Sequence, residues 1–162
     1  MIPVEGIGQT PRPIPDLNGL GAFKDYDVAS MTSSGHVLIV DDELVIRSLL
    51  SELLSEDGFS VATAEDGKRG LEYVNSGQVD LVISDVHMPI MTGPELVTQL
   101  RKIDPNLPVI VLNSVPGCDI SKNLPGGATA YLNKPFNLRD LRQTIADVRS
   151  RPAVPDSKSP QL

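Results

Sequence analysis

Short apolar runs alternate with stretches of helical periodicity between residues 36 and 150. The runs at about 37–40, 59–64, 79–84, 109–112 and 129–132 are too short for helices and are predicted to be buried strands. Strands that alternate with helices in this way indicate an α/β fold, a doubly wound parallel sheet with helices on both faces.

The stretches between the runs carry apolar residues at helical spacing. A first helix is predicted at about 43–57, with Gly58 ending it and an apolar stripe formed by Ile46, Leu49, Leu50, Leu53 and Leu54. Two further helices are predicted at about 66–76 and 93–103. A last helix follows Asn137, a plausible N-cap, with apolar positions at Leu138, Leu141, Ile145 and Val148.

One segment breaks the repeat. Residues 115–127, VPGCDISKNLPGG, hold two prolines and three glycines where the repeat calls for a helix. Both residue types disfavour helix interiors, so we expect an irregular or shortened fourth helix there, at best about 118–124.

The two ends differ from this ordered centre. Residues 1–35 contain four prolines and five glycines without a sustained apolar period, and 151–162 is rich in proline and polar residues. We expect a disordered N-terminal extension at 1–35, one domain at 36–150 and a disordered tail at 151–162, with no output domain. Met31, just ahead of the first strand, is an alternative start of translation.

Composition narrows the classes of partner. A formal net charge of −7 and a sequence pI of about 4.7 argue against a nucleic-acid partner, which requires a basic face. No apolar run approaches the roughly 20 residues that span a bilayer, so membrane insertion is not expected. The single Cys118 cannot form an internal disulfide, which fits a cytoplasmic protein.

Candidate chemistry sits where the predicted strands end. Asp41 and Asp42 directly follow the run 37–40, Asp85 follows 81–84, and Lys134 follows 131–133. Because ligands collect at the carboxyl ends of parallel strands, we expect these side chains to converge. Clustered carboxylates need a cation among them and suit Mg²⁺. The pattern therefore predicts a metal-assisted phosphoryl acceptor.

Each residue alone has a structural explanation. Asp41 and Asp42 can favour the positive end of the next helix, and Asp85 can form a turn or cap. A single lysine such as Lys134 is most often a solvated surface residue. Only the combination favours a functional site.

From His36 to about Ser150, the motifs VLIVDDE, VISDVHMPIMTG and AYLNKPF stand in an order and at a spacing that resemble the receiver domain of two-component response regulators. The resemblance implies a flavodoxin-like five-stranded sheet in the order 2-1-3-4-5. It also implies a cis bond between Lys134 and Pro135, and a protein that is not a conventional enzyme but assists its own phosphorylation and slow dephosphorylation.

The resemblance also assigns roles to the site residues. Asp85 would accept phosphate from a histidine kinase or a histidine phosphotransfer protein. Mg²⁺ would be bound by Asp85 and Asp42, by Asp41 directly or through water, and by the backbone carbonyl of His87. Lys134 would contact the phosphoryl group.

The chain departs from the family pattern at one position. Asn113 stands where the family usually has a Thr or Ser hydroxyl that moves to the phosphoryl group, and Ser114 should face the other side of the sheet. Tyr131 matches the aromatic residue that commonly changes rotamer with that hydroxyl, although a buried, static tyrosine is an equal alternative. Asn113 and Tyr131 are therefore the candidate switch residues.

Three functions remain open from the sequence. The leading hypothesis is a stand-alone receiver that docks to a downstream protein partner or passes phosphate along a relay. The alternative is a pseudo-receiver that serves as a scaffold, favoured by Asn113 and the broken fourth helix. A metal-dependent hydrolase is the third, but it would usually need an acid two residues after the nucleophile, where this chain has His87.

Overall fold

The structure, a computed structural model, describes residues 35–115 and 127–151. Five strands form one parallel sheet in the order β2-β1-β3-β4-β5. The strands are β1 (His36–Val40), β2 (Ser60–Ala64), β3 (Leu81–Asp85), β4 (Val109–Asn113) and β5 (Ala130–Asn133). The helices are α1 (Leu44–Glu56), α2 (Gly67–Ser76), α3 (Gly93–Ile103) and α4 (Leu138–Arg149). The predicted flavodoxin-like fold and its strand order are confirmed.

Other predictions fall outside the described residues. The irregular helix expected at about 118–124 lies there, as do the expected disordered ends apart from residues 35 and 151. Among the helices at 35–115 and 127–151, none is long and apolar enough to cross a bilayer.

Alternation along the strands divides the core into two layers. On one face, Leu38, Val40 and Val82 pack with α2 and α3, whose buried side chains include Leu96, Val97 and Leu100. On the other face, Val37, Ile39 and Ile83 pack with the buried residues of α1 and α4, which are Leu50, Leu54, Leu141, Ile145 and Val148. Because both faces are covered, the central strands are apolar over most of their length, as is typical of buried parallel strands.

Local signals set the helix ends. Gly58 adopts a φ of 87°, a left-handed conformation that glycine tolerates, and its N–H donates to the Ser55 carbonyl at 3.0 Å. The Asn137 side chain accepts from Asp140 N at 2.9 Å, which confirms the predicted N-cap.

The apolar stripe predicted for α1 is wider than the buried face. Leu50 and Leu54 are buried and Ile46 packs partly against the core, but Leu49 is 50% exposed. Leu49 is therefore half exposed although it belongs to the apolar stripe. A row at helical spacing shows which residues share a side of the helix, but the width of the contact depends on what packs against it.

Arg101 ties the start of β5 to the end of α3. Its guanidinium donates to the Leu107 carbonyl at 2.7 Å and the Gly127 carbonyl at 3.2 Å, and lies 3.4 Å from the Thr129 hydroxyl. Thr129 in turn is bonded through its backbone N–H to the Val109 carbonyl at 2.7 Å. One side chain of α3 thus joins the segments that precede β4 and β5 at the amino edge of the sheet.

We predict that Arg101→Leu lowers the free energy of unfolding by about 2 kcal/mol, because partly buried acceptors lose charged donors. Urea denaturation of the purified chain measures this change. The matched control is Lys102→Leu, since Lys102 is exposed on the same helix and bonds only Gln99, at 3.4 Å, among the described residues. Equal losses in the two variants would contradict the prediction.

Candidate functional site

Three acidic residues meet at the carboxyl edge of the sheet. Asp41 follows β1 and Asp85 ends β3, and the two strands pair in parallel with Val40 opposite Ser84. Carboxylate oxygens from Asp41, Asp42 and Asp85 all lie within 4.8 Å of one another, with Asp41 and Asp85 buried and Asp42 exposed. The structure thus brings together the three acids that the sequence singled out.

Lys134 adds a positive charge to the three acids, although it comes from the strand at one edge of the sheet. It follows β5, yet its Nζ lies 3.1 Å from Asp85 Oδ1 and 3.3 Å from Asp41 Oδ2. The lysine side chain is 17% exposed, so its charge is only partly screened by water. The Lys134–Pro135 peptide bond is cis, as the resemblance implied.

Burial and charge act against each other in this cluster. Burial raises the pKa of Asp41, although the Glu43 backbone N–H and Lys134 favour its ionised form. Burial alone would lower the pKa of Lys134, but the negative oxygens of Asp85 and Asp41 outweigh it and raise that pKa. One ammonium group among three carboxylates leaves an excess of negative charge that a further cation would offset.

The two oxygens of Asp85 have different partners. Oδ2 accepts from the His87 backbone N–H at 3.1 Å, which fixes the plane of the carboxylate. Oδ1 is buried and accepts no well-aligned hydrogen bond among the described residues, although it contacts Lys134. The lone pairs of Oδ1 are therefore not engaged by an aligned hydrogen bond among the described residues.

The donor set fits a hard divalent cation. Oxygen ligands on one octahedral Mg²⁺ at about 2.1 Å lie roughly 3 to 4 Å from one another. The three carboxylates come from two places in the chain, the pair after β1 and the end of β3, and their oxygens fall within 4.8 Å, so a small rearrangement would allow all three to bind one ion. The ligand role of the His87 carbonyl stays a prediction, and the His87 side chain itself is exposed.

The candidate switch residues lie near the ends of β4 and β5. Asn113 is 3% exposed, and its side chain bonds Val115 and Asn133. Tyr131 packs against the α2–α3 side of the core, and its buried hydroxyl has no hydrogen-bond partner among residues 35–115 and 127–151. Their roles in switching stay predictions.

Sequence reasoning missed three supporting residues. Arg47 donates to the Asp41 carbonyl at 2.7 Å and so holds the turn after β1. Gly93 donates to the Val86 carbonyl at 2.9 Å and packs directly on the Asp85 backbone. Asn133 pairs with Asn113. The glycine in MPIMTG was a visible signal, whereas no local pattern marks Arg47 or Asn133 as part of a site.

Comparison with known proteins agrees with this geometry. A family model described as the response regulator receiver domain matches residues 37–146. The transcriptional regulatory protein GlrR of Escherichia coli (strain K12) is 40% identical over 124 residues, which are 74% of this chain and 28% of that protein. The two-component response regulator ARR17 of Arabidopsis thaliana is 36% identical over 141 residues, 77% of this chain and 92% of that protein. The chain thus spans less than a third of GlrR.

Solved structures show the same fold. The response regulator TrrA from Thermotoga maritima, in complex with Mg(2+)-BeF, is 35% identical with a TM-score of 0.63, covering 70% of this chain and 98% of that one. The chemotaxis protein CheY4 of Vibrio cholerae is 36% identical with a TM-score of 0.65, covering 70% of this chain and 98% of that one.

We predict that Gly93→Ala lowers the free energy of unfolding by about 1–3 kcal/mol, because a Cβ there would clash with the Asp85 backbone oxygen and lie 3.0 Å from Val86 Cα. Chemical denaturation measures the loss. Gly77→Ala is the control, since its Cβ would lie 3.6 Å from the nearest atom, the Tyr73 oxygen, in ordinary contact. A Gly93→Ala protein as stable as the parent would rule out this close contact.

Proposed function

We propose, since this chain belongs to the response regulator receiver domain family, that Asp85 accepts a phosphoryl group from a histidine kinase or a histidine phosphotransfer protein. One observation carries the proposal. Asp85 Oδ1 is buried, accepts no aligned hydrogen bond among the described residues, and lies 3.1 Å from the Lys134 ammonium group. The carboxylate is thus held in place beside a cation, while one of its oxygens keeps lone pairs that no aligned hydrogen bond engages.

The transfer exchanges one phosphorus bond for another. An Asp85 oxygen forms the new P–O bond as the P–N bond of the donor phosphohistidine breaks, and the imidazole nitrogen keeps the electron pair. Lys134 offsets the repulsion between the carboxylate and the anionic phosphoryl group, and the His87 backbone N–H keeps the carboxylate oriented.

The acidic cluster supports a role for Mg²⁺. We infer that Asp41, Asp42 and Asp85 hold the ion, with the His87 carbonyl as a further ligand. Bound there, Mg²⁺ would neutralise charge on the phosphoryl oxygens.

Exposed apolar residues around the site favour a protein as the phosphoryl donor. Leu44 and Val45, at the start of α1 just after the acidic pair, are 67% and 76% exposed. Ile90, five residues after Asp85, is 78% exposed and has a φ of 71°, unfavourable for a β-branched residue. An exposed apolar side chain held in a strained conformation beside a reactive group is consistent with contact to a partner.

The pseudo-receiver alternative keeps one observation in its favour. The Asn113 side chain already uses its N–H groups on Val115 and Asn133, so recruiting it to a phosphoryl group would break an existing bond. Phosphorylation would then be retained with a weakened readout. A receiver that docks to a downstream protein partner in the cytoplasm remains our proposal for the wider role.

We predict that the chain gains one phosphate, measured by intact mass, on incubation with acetyl phosphate and Mg²⁺. Asp85→Asn should abolish the gain, because an amide is not a nucleophile for this transfer. Omission of Mg²⁺ should lower the yield strongly. A parent protein that never gains the mass would sink the phosphoacceptor proposal in favour of the scaffold, and turnover of small phosphate esters would favour a hydrolase.

We predict that Val45→Asn slows transfer from a phosphohistidine-bearing donor protein about tenfold while leaving transfer from acetyl phosphate nearly unchanged. The reason is the loss of apolar contact with the donor surface. Radiolabel transfer and intact mass measure the two rates.

Ser55→Asn is the matched control, because Ser55 is exposed on the same helix about 15 Å further from the site. If Val45→Asn and Ser55→Asn accept phosphate from the protein donor at equal rates, Val45 is not part of the docking surface.

A further inference from the structure

Two asparagines form a side-chain bridge between the last two strands. Asn113 ends β4 and Asn133 ends β5, and the strand register sets them opposite each other. Asn113 Nδ2 donates to Asn133 Oδ1 at 3.0 Å. In a parallel pair, residues in register point to the same face, so the two amides meet without distortion of the strands.

The Asn113 amide is fully used in this arrangement. Its second N–H donates to the Val115 carbonyl at 3.0 Å, and its Oδ1 accepts from the Val115 backbone N–H at 3.0 Å. The side chain is buried, so loss of a partner would leave a polar group away from water. Asn113 is therefore held in one orientation by the turn that follows it and by the neighbouring strand.

The backbone of Asn113 holds the next residue as well. The Lys134 N–H donates to the Asn113 carbonyl at 2.7 Å. Asn113 thus anchors Asn133 through its side chain and Lys134 through its main chain. Two consecutive residues of one strand end are fixed to a single residue of the other.

This anchor matters because Lys134 reaches across the sheet. In the strand order, β4 lies between β5, which carries Lys134, and β3, which carries Asp85. The ammonium group must pass the end of β4 to lie 3.1 Å from Asp85 Oδ1. Because its side chain is long and flexible, its placement depends on where the Lys134 backbone is held.

We propose that Asn133, through its bond to Asn113, is a positioning residue that holds Lys134 in reach of Asp85 and Asp41. The part of this inference that concerns reaction rate rests on the phosphoacceptor function proposed above. The part that concerns placement does not, because it is a statement about the protein at rest. Among the described residues, the Asn133 side chain bonds Asn113 and none of the three acids.

The placement is tested in the free protein by NMR relaxation of the lysine side-chain ammonium groups. In Asn133→Leu, the motional restriction of the Lys134 ammonium group should fall toward that of an exposed lysine such as Lys102. Asn106→Leu is the matched control, because Asn106 is exposed in the loop at the opposite edge of the sheet, where its backbone N–H rather than its side chain bonds Asp104. Asn133→Ala serves as a second variant that removes the same acceptor.

Phosphorylation by acetyl phosphate and Mg²⁺ tests the consequence. We expect Asn133→Leu to lower the rate about tenfold and Asn106→Leu to leave it unchanged, since a small misplacement of a charged group is sufficient for a loss of that size. Unaltered Lys134 motion in both Asn133 variants would overturn the inference, as would equal rates in Asn133→Leu and Asn106→Leu. If Lys134 is more mobile in the Asn133 variants but the parent chain never accepts phosphate, the proposed function is overturned and the inference about the placement of Lys134 stands.

Discussion

The ion pairs of Lys134 with Asp85 and Asp41 are the interaction on which the site depends. Buried carboxylates close to each other repel, and removing them from water favours their neutral forms. The ammonium group lies within 3.3 Å of both acids and offsets part of that penalty. The residual negative charge then becomes useful, because it favours a divalent cation at the same place. The stability of this edge and the proposed reactivity of Asp85 therefore depend on one arrangement of charge.

The sheet makes this arrangement possible by bringing distant strand ends to one edge. Asp41, Asp85 and Lys134 follow or end β1, β3 and β5, and parallel pairing aligns those ends. Close packing then fixes the backbone positions of the two acids. Gly93 rests on the Asp85 backbone with no room for a side chain, and Arg47 holds the carbonyl of Asp41. The functional groups are thus set on rigid elements, and the apolar residues that a partner would contact lie in the segments that follow.

The residue at which this chain departs from its family pattern lies beside Lys134 and belongs to the same local structure. Asn113 occupies the position where relatives of this kind usually carry a hydroxyl, and its amide is bonded to the turn after β4 and to Asn133. A hydroxyl would offer one donor, whereas the amide offers two and can bridge two segments at once. On our proposal, the bridge makes the end of β5 firmer, whereas the bonded amide is less free to move than a hydroxyl donor would be.

The alternation of apolar runs and helical stripes determined the α/β fold, because burial and periodicity are local properties of a chain. The ends of those runs already identified the candidate site residues, which are Asp41, Asp42, Asp85 and Lys134. Only the tertiary structure decided whether Leu49 faces the core, and only it showed that Arg47, Gly93 and Asn133 support the site. Asn113 and Asn133 lie 20 residues apart, and their bond exists because strand register places them side by side. Contacts of that kind depend on how elements pair, and no pattern within a single element specifies them.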